Sequence, residues 1–513
     1  MLFGNRMRTL SLLVCNSCLC RKVLTMVRFL TMDSANKQRY EEAVGTLNTL
    51  QTNASVLQQA KKIRVGQLNT NVEDTRKYLL RTGISQQMLD SSLSAIHVAG
   101  TKGKGSTCAF TESILRKHGH RTGFYSSPHL IAVRERIRID GKPLSMQKFT
   151  QYFWEVYNSL AAQKEHEHDM PPYFKFMTVM ALNVFIKEKV DVAVIEVGIG
   201  GELDCTNVLR NPVVVGITSL GLDHTSLLGN TVELIAWQKA GILKPKVPAF
   251  TVENQPGDSL NVIRQRAEAI GCPLLMAPNF EEYKWPDGKK PILGLDSQVQ
   301  TLNASIAIQL AHAWMNANNN QTSEKSVTHE IPQSTVKGLE QVKWPGRAQI
   351  INFSPQLKIF MDGAHTTDSI KNCLSWFKQA SNRGSTKRVL LFNSTGERDP
   401  TNLLRPLYDA QLFSKVIFCP NIASSCTADQ SNFMVTADQQ LKRTAAHLAA
   451  WKAIENEPTS CSVHTFPYVS DALNFVKELS AVEEMQVLVT GSLHLVGCVL
   501  GLLDISEEDA EDS

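Results

Sequence analysis

The sequence lacks long apolar runs, and its cysteines lack regular spacing. No stretch approaches the roughly 18 consecutive apolar residues of a membrane-spanning helix, so we predict no integral membrane span. Three of the eleven cysteines fall within residues 15–20, and the other eight are scattered between Cys108 and Cys498 without a Cys-x-x-Cys pair. This distribution argues against a zinc ribbon or a secreted disulfide framework, and it fits a reducing compartment.

Net charge is also low. The chain of 513 residues carries a formal charge of +4, whereas residues 1–31 alone hold five basic side chains and no acidic one. The remainder is therefore close to neutral, which gives no electrostatic reason to expect nucleic-acid binding. With 43% hydrophobic and 20% charged residues the composition is that of a globular enzyme, and the length predicts two domains.

The basic, acid-free N-terminus predicts a mitochondrial transit peptide over residues 1–31. A secretory signal is the alternative because residues 10–19 are moderately apolar, but Asn16 and the cysteines interrupt this stretch. Translation from Met32 would omit the whole segment. We therefore expect a mitochondrial matrix form and a cytoplasmic form that starts near Met32.

After residues 40–93, which have a helical pattern, short apolar runs alternate with amphipathic stretches. The runs that predict buried strands are Ala95–Ala99, Val190–Val197, Val213–Ile217, Ile359–Met361, Arg388–Phe392, Lys415–Phe418 and Gln486–Val489. The stretches that predict helices are Thr107–His118, Met146–Leu160, Phe174–Lys187 and Thr231–Ala240. Strands that alternate with helices indicate parallel sheets covered on both faces.

This alternation predicts two α/β domains. Residues 32–315 are expected to form a P-loop-type domain with a mostly parallel sheet, and residues 342–513 a smaller, Rossmann-like domain. The stretch Asn316–Ser334 is polar and aperiodic, which indicates a surface loop within a linker over residues 316–341. Residues 420–442 have the pattern of a second long loop.

The strongest local signal is the segment from Ala95 to Thr107, AIHVAGTKGKGST, which predicts a strand, a glycine-rich turn and a helix. Backbone N–H groups of such a turn can surround a phosphate while Lys104 adds a positive charge. The turn departs from a regular P-loop because Val98 stands at the first glycine position and the hydroxyl comes one residue late, at Ser106. An ordinary glycine-rich turn is the alternative, but two lysines among four glycines favour a nucleotide site.

Polar residues follow two further predicted strands. Glu196 ends an apolar run and precedes several glycines, so its carboxylate either holds magnesium or braces a loop. His224 is either a metal ligand or an ordinary core histidine, and its position at the carboxyl end of a strand favours a ligand. In Tyr125–His129 the serine hydroxyls either brace the backbone or contact a metal.

These motifs occur in a fixed order along the chain. In that order the sequence reads GTKGKGS, YSSPHL, VRERIRI, EVGIGG with DCTN, GLDHTSLLG, WQKAGILK, WPGRAQ, MDGAHT and VTGSLHLVG. Together they resemble folylpolyglutamate synthases, relatives of the bacterial Mur ligases, from about Tyr40 to about Gly501. The segment 32–50 resembles the eukaryotic branch in particular.

The resemblance implies a nucleotide site and a metal site. The positions that match ATP-binding residues are Lys102, Gly103, Lys104, Gly105, Ser106, Arg347 and Asp362. Ser127, Glu196 and His224 match magnesium ligands, and the imidazole makes manganese a suitable substitute. Lys239 matches a lysine that family members carry as a carbamate, which can bind a second metal. From the sequence alone, a surface lysine on a helix is the favoured interpretation.

Three more positions match residues that handle the incoming glutamate, namely Arg136, His365 and Ser492. Lys104, Arg136 and His365 are the expected catalytic residues. A role for Arg136 in binding glutamate makes physical sense, because a guanidinium binds carboxylates well. Many bacterial members have asparagine where this chain has Lys102, so we expect Lys102 to matter less than Lys104.

The resemblance therefore implies an ADP-forming ligase that uses ATP to add L-glutamate to the γ-carboxylate of tetrahydrofolate through an acyl phosphate. Its expected partners are these small molecules alone, and the expected state is a monomer. Dihydrofolate synthase activity on dihydropteroate is the closest alternative. A P-loop NTPase or kinase without ligase activity is another, although it leaves the DGAHT segment unexplained. An inactive binding protein is disfavoured because Lys104, Glu196 and His224 are all present.

Overall fold

A computed structural model describes residues 35–51, 70–318, 327–381, 386–396, 398–423, 436–455 and 461–503. The predicted transit peptide lies outside these residues. In the part of the chain that is described, no helix combines the length and the hydropathy needed to cross a bilayer.

The N-terminal sheet contains eight strands among the described residues. In chain order they are β1 (Ala95–Ala99), β2 (Thr122–Tyr125), β3 (Ile137–Ile139), β4 (Lys142–Pro143), β5 (Val192–Glu196), β6 (Val214–Ile217), β7 (Ala249–Thr251) and β8 (Leu274–Met276). Their order in space is β4-β3-β2-β5-β1-β6-β7-β8, and only β3 and β4 run antiparallel to their neighbours. The apolar runs β1 and β5 lie side by side at the centre and are buried throughout.

Helices cover both faces of this sheet. They are α1 (35–49), α2 (Asn71–Arg81), α3 (Gln86–Ser92), α4 (Lys104–Lys117), α5 (Met146–Ala161), α6 (Tyr173–Lys187), α7 (Thr225–Leu228), α8 (Val232–Ala240), α9 (Ser259–Ile270), α10 (Gln300–Asn318) and α11 (Gln333–Glu340). Helices α5 and α6 pack in one hydrophobic core, whereas α4, α10 and α11 pack in another on the opposite face. This arrangement confirms the predicted mostly parallel, doubly covered sheet.

The C-terminal sheet contains six strands within the described ranges. They are β9 (Gln349–Ser354), β10 (Leu357–Met361), β11 (Lys387–Phe392), β12 (Lys415–Phe418), β13 (Ser462–Thr465) and β14 (Met485–Thr490). Their order is β13-β12-β11-β14-β10-β9, with only the edge strand β9 antiparallel. The sheet is smaller and mostly parallel, as the sequence predicts.

Both faces of the second sheet are also covered. Its helices are α12 (Thr367–Ala380), α13 (Pro400–Asp409), α14 (Ala437–Ile454), α15 (Val469–Ser480) and α16 (Leu493–Leu502). The first three share one core, and the last two share the other. Because α12 follows β10 on one face and α16 follows β14 on the other, the carboxyl ends of these adjacent strands border a crevice.

The structure differs from the sequence interpretation at both predicted loops. The stretch Asn316–Ser334 begins inside α10 and ends inside α11, and only part of the residues between them is described. Helix α11 belongs to the first core, because Val336 and Leu339 are buried there and Ser113 Oγ donates a hydrogen bond to the Gly338 carbonyl oxygen at 2.8 Å. Likewise, the end of the predicted loop 420–442 is helical from Ala437 onward. The exact domain limits stay a prediction.

Candidate active site

The glycine-rich segment forms the turn between β1 and α4. Gly103 has φ +86° and directly precedes the first helical residue, Lys104. A Cβ atom on Gly103 would lie 2.0 Å from Asn303 Oδ1, so both the backbone angle and the space require glycine. Two N–H groups of the turn donate hydrogen bonds to the Ser219 carbonyl oxygen at 3.1 and 3.0 Å. The turn is thus fixed with the positive end of a helix facing the crevice, an arrangement suited to phosphate.

Glu196 lies at the carboxyl end of β5 and is only 5% exposed. Its Oε2 accepts a hydrogen bond from the backbone N–H of Ser127 at 3.1 Å. Burial raises the pKa of Glu196, whereas the nearby Lys104 ammonium opposes this rise. A buried carboxylate with this environment is stabilised by a cation, so it suits the edge of a metal–phosphate site.

The loop after β6 brings two more polar side chains to the same edge. His224 has φ +51° and stands just before the short helix α7. Its backbone N–H donates to Asp223 Oδ1 at 3.0 Å. Burial lowers the pKa of the His224 imidazole, and the Asp223 carboxylate partly offsets this effect. A mainly neutral imidazole is the form that can bind a metal.

Lys239 is buried rather than on the surface, contrary to the interpretation that its helical context favoured. The residue is 4% exposed, and its Nζ donates to the Gly100 carbonyl oxygen at 2.7 Å. Burial, followed by repulsion from Lys104, lowers the pKa of Lys239 to about 7. A large fraction of this amine is therefore neutral and nucleophilic at physiological pH.

Gly201 explains how a helix lysine becomes buried. A Cβ atom at Gly201 would lie 2.7 Å from the carbonyl oxygens of Gln238 and Lys239, so the glycine loop after β5 packs directly on the backbone of α8. The neighbouring Gly200 has φ +74°, a backbone angle that glycine adopts without strain. Gly201 of EVGIGG therefore serves the close packing of this loop on α8.

The C-terminal domain contributes residues at the end of β10. Asp362 Oδ2 accepts a hydrogen bond from the backbone N–H of Ala348 at 2.9 Å. Burial raises the pKa of Asp362, and the Arg347 guanidinium opposes the rise. A Cβ atom on Gly363 would lie 2.6 Å from Arg347 Nη1, so this glycine lets the guanidinium lie against the backbone. His365 Nδ1 donates to the Gly363 carbonyl oxygen at 2.8 Å, which fixes the ring.

Arg136 lies at the end of a short 3-10 helix, Val133–Arg136, and is only 9% exposed. Its Nε donates to His129 Nδ1 at 2.9 Å, and its guanidinium lies over the Tyr173 ring at 5.1 Å from the centroid. The neighbouring Glu135 carboxylate accepts hydrogen bonds from three backbone N–H groups of residues 130–132, at 2.6–2.8 Å. These contacts hold the SSPHL loop in one conformation.

Nearly all the predicted site residues border one cavity of about 890 Å³ between the two sheets. Those that border it are Lys102, Gly103, Lys104, Gly105, Ser106, Ser127, Arg136, Glu196, His224, Lys239, Arg347, Asp362 and His365. Ser492 is not among them: it is buried after β14, where its Oγ accepts a hydrogen bond from the His494 N–H at 3.1 Å and caps α16. Its neighbour Leu493 does border the cavity.

One part of the cavity wall is apolar. Phe174, Ile199, Leu203 and Leu227 all face it, and Ile199, Leu203 and Leu227 are each more than 40% exposed. An apolar wall beside a few convergent charged groups is typical of a cavity that binds a small molecule.

Two functional candidates escaped the sequence interpretation, namely Asp223 and Arg398. The Asp223 carboxylate borders the cavity, and Arg398 Nη2 donates to its Oδ1 at 3.0 Å from the other domain. Burial alone would raise the pKa of the Asp223 carboxyl, but the contact with His365 and the charges of His224 and Arg398 outweigh it and hold this pKa well below the usual range. The aspartate precedes His224 in the GLDH motif, so a signal was present, but nothing in the sequence links it to Arg398.

The described residues contain no group of three or more His, Cys, Asp and Glu side chains arranged to hold a metal ion. A metal at this edge would therefore depend on a mixed set of ligands. Ser127, Glu196 and His224 offer a hydroxyl, a carboxylate and an imidazole on the same cavity wall. With nucleotide phosphate oxygens, this set fits a hard divalent cation.

Comparisons with known proteins agree with this geometry. A family model described as dihydrofolate synthetase, C-terminal domain, matches residues 349–502. The mitochondrial folylpolyglutamate synthases of Bos taurus and Homo sapiens are each 44% identical to the chain, and each alignment covers 91% of the chain and 92% of the relative. A structure of E. coli FolC in complex with DHPP and ADP matches with a TM-score of 0.64 and 25% identity, covering 89% of the chain and 98% of FolC.

Proposed function

The chain belongs to the folylpolyglutamate synthase family, and from this membership we infer the role of each part of the interdomain cavity. It is an ATP-dependent carbon–nitrogen ligase that joins L-glutamate to a folate and forms ADP. The γ-phosphoryl group of ATP passes to the terminal γ-carboxylate of the folate, which gives an acyl phosphate and ADP. The α-amine of glutamate then attacks the acyl carbon, an amide bond forms, and phosphate and a proton leave.

We propose that the turn Gly103–Ser106 and the start of α4 bind the ATP phosphates. Lys104, Glu196 and Lys239 border the same cavity, and the Lys104 charge opposes the rise in the pKa of Glu196 and adds to the fall in the pKa of Lys239. From this place Lys104 can follow the negative charge as the phosphoryl group moves. Lys102 lies further out, because its Nζ forms an ion pair with Asp368 of the C-terminal domain at 2.9 Å.

We propose that Ser127, Glu196 and His224 hold the Mg²⁺ that accompanies ATP, with Mn²⁺ as a competent substitute. The fit rests on Glu196, whose buried carboxylate lies beside the phosphate turn and accepts only one hydrogen bond from the described residues. When bound, the cation neutralises phosphate charge and orients the γ-phosphoryl group.

We further propose that Lys239 carries a carbamate. Carbon dioxide joins the neutral amine, a nitrogen–carbon bond forms, and a proton is released. The low pKa of about 7 supplies the neutral amine that this step needs. The product is an anion at the cavity wall, where it can help to hold a second cation beside Lys104 and His224.

We propose that Arg347 and Asp362 of the C-terminal domain contact the nucleotide. Arg136 of the N-terminal domain and His365 of the C-terminal domain would bind the carboxylates of glutamate. Ser492 can contribute through the N-terminus of α16, which its Oγ caps. The folate ring then has the apolar wall around Phe174 available. Tetrahydrofolate is the proposed acceptor.

The proposed compartments follow the predicted leader. The bovine and human relatives are named as mitochondrial enzymes, which supports import of this chain. We propose that residues 1–31 direct import and that a start at Met32 gives the cytoplasmic form. A monomer with an ATP-binding domain over residues 32–315 and a glutamate-ligase domain over residues 342–513 is the proposed organisation.

The observation that carries the proposal is the single cavity in which Lys104, Glu196 and Lys239 of one domain face Arg347 and His365 of the other. The test is product analysis of protein lacking residues 1–31 with ATP, tetrahydrofolate and labelled glutamate. We expect ADP, phosphate and lengthened folate in equal amounts. ADP release that needs neither folate nor glutamate would contradict a ligase, and activity with dihydropteroate alone would indicate dihydrofolate synthase.

A further inference from the structure

The Asp223 carboxylate lies at the boundary between the two domains and has three cationic or imidazole neighbours. Arg398 Nη2 lies 3.0 Å from Oδ1, His365 Nε2 lies 3.7 Å from Oδ2, and His224 Nε2 lies 3.9 Å from Oδ2. The Asp223 side chain is only 12% exposed. Two of these neighbours belong to the other domain, since His365 follows β10 and Arg398 follows β11.

Arg398 is held in place by its own domain. Its Nη1 donates to the Thr395 carbonyl oxygen at 2.9 Å, so the guanidinium is bonded to its own domain and to Asp223 at the same time. The Arg398 side chain is 26% exposed. A partly buried ion pair of this kind is costly to break, because separation leaves each charge with neither its partner nor full hydration.

A second ion pair crosses the same boundary but differs in exposure. Lys102 Nζ lies 2.9 Å from Asp368 Oδ2, and the Asp368 side chain is 74% exposed. Exposed pairs contribute little, because water and salt screen them. The Asp223–Arg398 pair is therefore the stronger candidate for coupling the two domains.

We propose that Asp223 is a positioning residue that joins the two halves of the active site through Arg398 and sets the place of His365 opposite His224. His365 Nδ1 is bonded to its own backbone at Gly363, so Asp223 gives the ring its contact with the opposite domain. Both Asp223 oxygens already have partners, because Oδ1 also accepts the His224 N–H and Oδ2 faces two imidazoles. The residue thus acts through its neighbours and not on the reacting atoms.

This inference rests on the proposed function, because it assumes that His365 binds glutamate and that ATP binds at the phosphate turn of the N-terminal domain. Glutamate must bind between the domains, at Arg136 and His365. The phosphates of the nucleotide bind at the turn Gly103–Ser106, which is complete within one domain, and Arg347 and Asp362 only add contacts from the other. Loss of the Asp223–Arg398 pair should therefore weaken glutamate use much more than nucleotide binding.

The test uses Asp223→Asn and Arg398→Met, each alone and together, with Arg398→Lys and Asp368→Asn as matched variants. We expect kcat/KM for glutamate to fall about 30-fold or more in each single variant, with the dissociation constant for ADP within about threefold of the wild type. The double variant should be no worse than the more impaired single variant, because both changes remove the same pair. Arg398→Lys should recover part of the loss, and Asp368→Asn should stay within about threefold.

Small-angle scattering of the same proteins with ADP and glutamate gives a readout that does not depend on catalysis. Asp223→Asn and Arg398→Met should have a larger radius of gyration than the wild type, because the pair no longer holds the two domains together, and Asp368→Asn should match the wild type. Single variants that keep kcat/KM for glutamate within threefold, or losses that multiply in the double variant, would overturn the inference. If the wild type makes no lengthened folate but the scattering difference persists, the substrate assignment fails while the interdomain pair stands.

Discussion

Replacing Lys239 by methionine tests the electrostatics of the site most directly. The usual pKa of lysine is 10.5, and burial lowers that of Lys239 to about 7 in the folded protein. Between these values the unfolded chain binds one more proton than the folded one, so wild-type stability rises with pH in this window. The full difference corresponds to about 5 kcal/mol, or about 1.4 kcal/mol per pH unit.

The Lys239→Met variant keeps a side chain of similar length and has no proton to lose there. We expect it to be more stable than the wild type near pH 7, because the buried ammonium is removed, even though about 1 kcal/mol from the hydrogen bond to Gly100 is lost. From pH 7 to pH 9 this advantage should shrink by about 2–3 kcal/mol as the wild-type amine becomes neutral.

The assay is urea unfolding of metal-free protein in bicarbonate-depleted buffer at several pH values between 6 and 9. Lys289→Met, which removes a solvent-exposed lysine, is the control. If the difference in the free energy of unfolding between the wild type and Lys239→Met does not change with pH, Lys239 is not a buried amine. In a second arm, labelled bicarbonate at pH 8 should give a carbamate signal by carbon NMR in the wild type, and Lys239→Met should lack it.

Three further predictions concern the phosphate turn and the leader. Lys104→Ala should lower kcat by at least 100-fold in a protein that still folds, whereas Lys102→Ala should be milder, and survival of activity within about threefold in Lys104→Ala would show that this lysine is not catalytic. Gly103→Ala places a Cβ atom 2.0 Å from Asn303 Oδ1 at φ +86°, so the turn must shift, and restoring its phosphate-binding geometry at a strain of about 1–2 kcal/mol should weaken ATP binding roughly 5- to 30-fold in calorimetry. A fluorescent fusion of residues 1–40 should enter mitochondria, and changing its five basic residues to glutamine should leave it in the cytosol, while secretion of the unchanged fusion would show that the leader is misinterpreted.

Strands that form continuous apolar runs were predictable because they are largely buried. Predicted and observed bounds agree within two residues for β1, β5, β6 and β12. Strands β7 and β8 were missed because each has only three residues, and the edge strand β9 was missed because it mixes polar with apolar residues and is only partly buried. Helix α11 was missed because its polar residues outnumber the two apolar ones, Val336 and Leu339, that it buries.

The residues that form the site were more predictable than the contacts between them. Motif positions such as Lys104 and Glu196 follow strands, and the carboxyl ends of parallel strands meet at one edge. The contacts that fix the site join residues far apart in the sequence, and local patterns do not record such pairs. Arg398 reaches Asp223 across 175 positions, and Lys239 reaches the Gly100 carbonyl across 139.

The sequence identified the residues of the cavity but not their protonation states, because these depend on burial and on neighbouring charges. Burial raises the pKa of Glu196 and Asp362 and lowers that of Lys239, so each of these groups is pushed toward its neutral form. Such shifts mean that desolvation outweighs the attraction between the opposite charges within the cavity. The cation that accompanies a nucleotide would bring positive charge to Glu196 and allow this carboxyl to ionise. Since the groups are held in place before any ligand arrives, binding energy can go to orienting the phosphoryl group instead of to rearranging the protein.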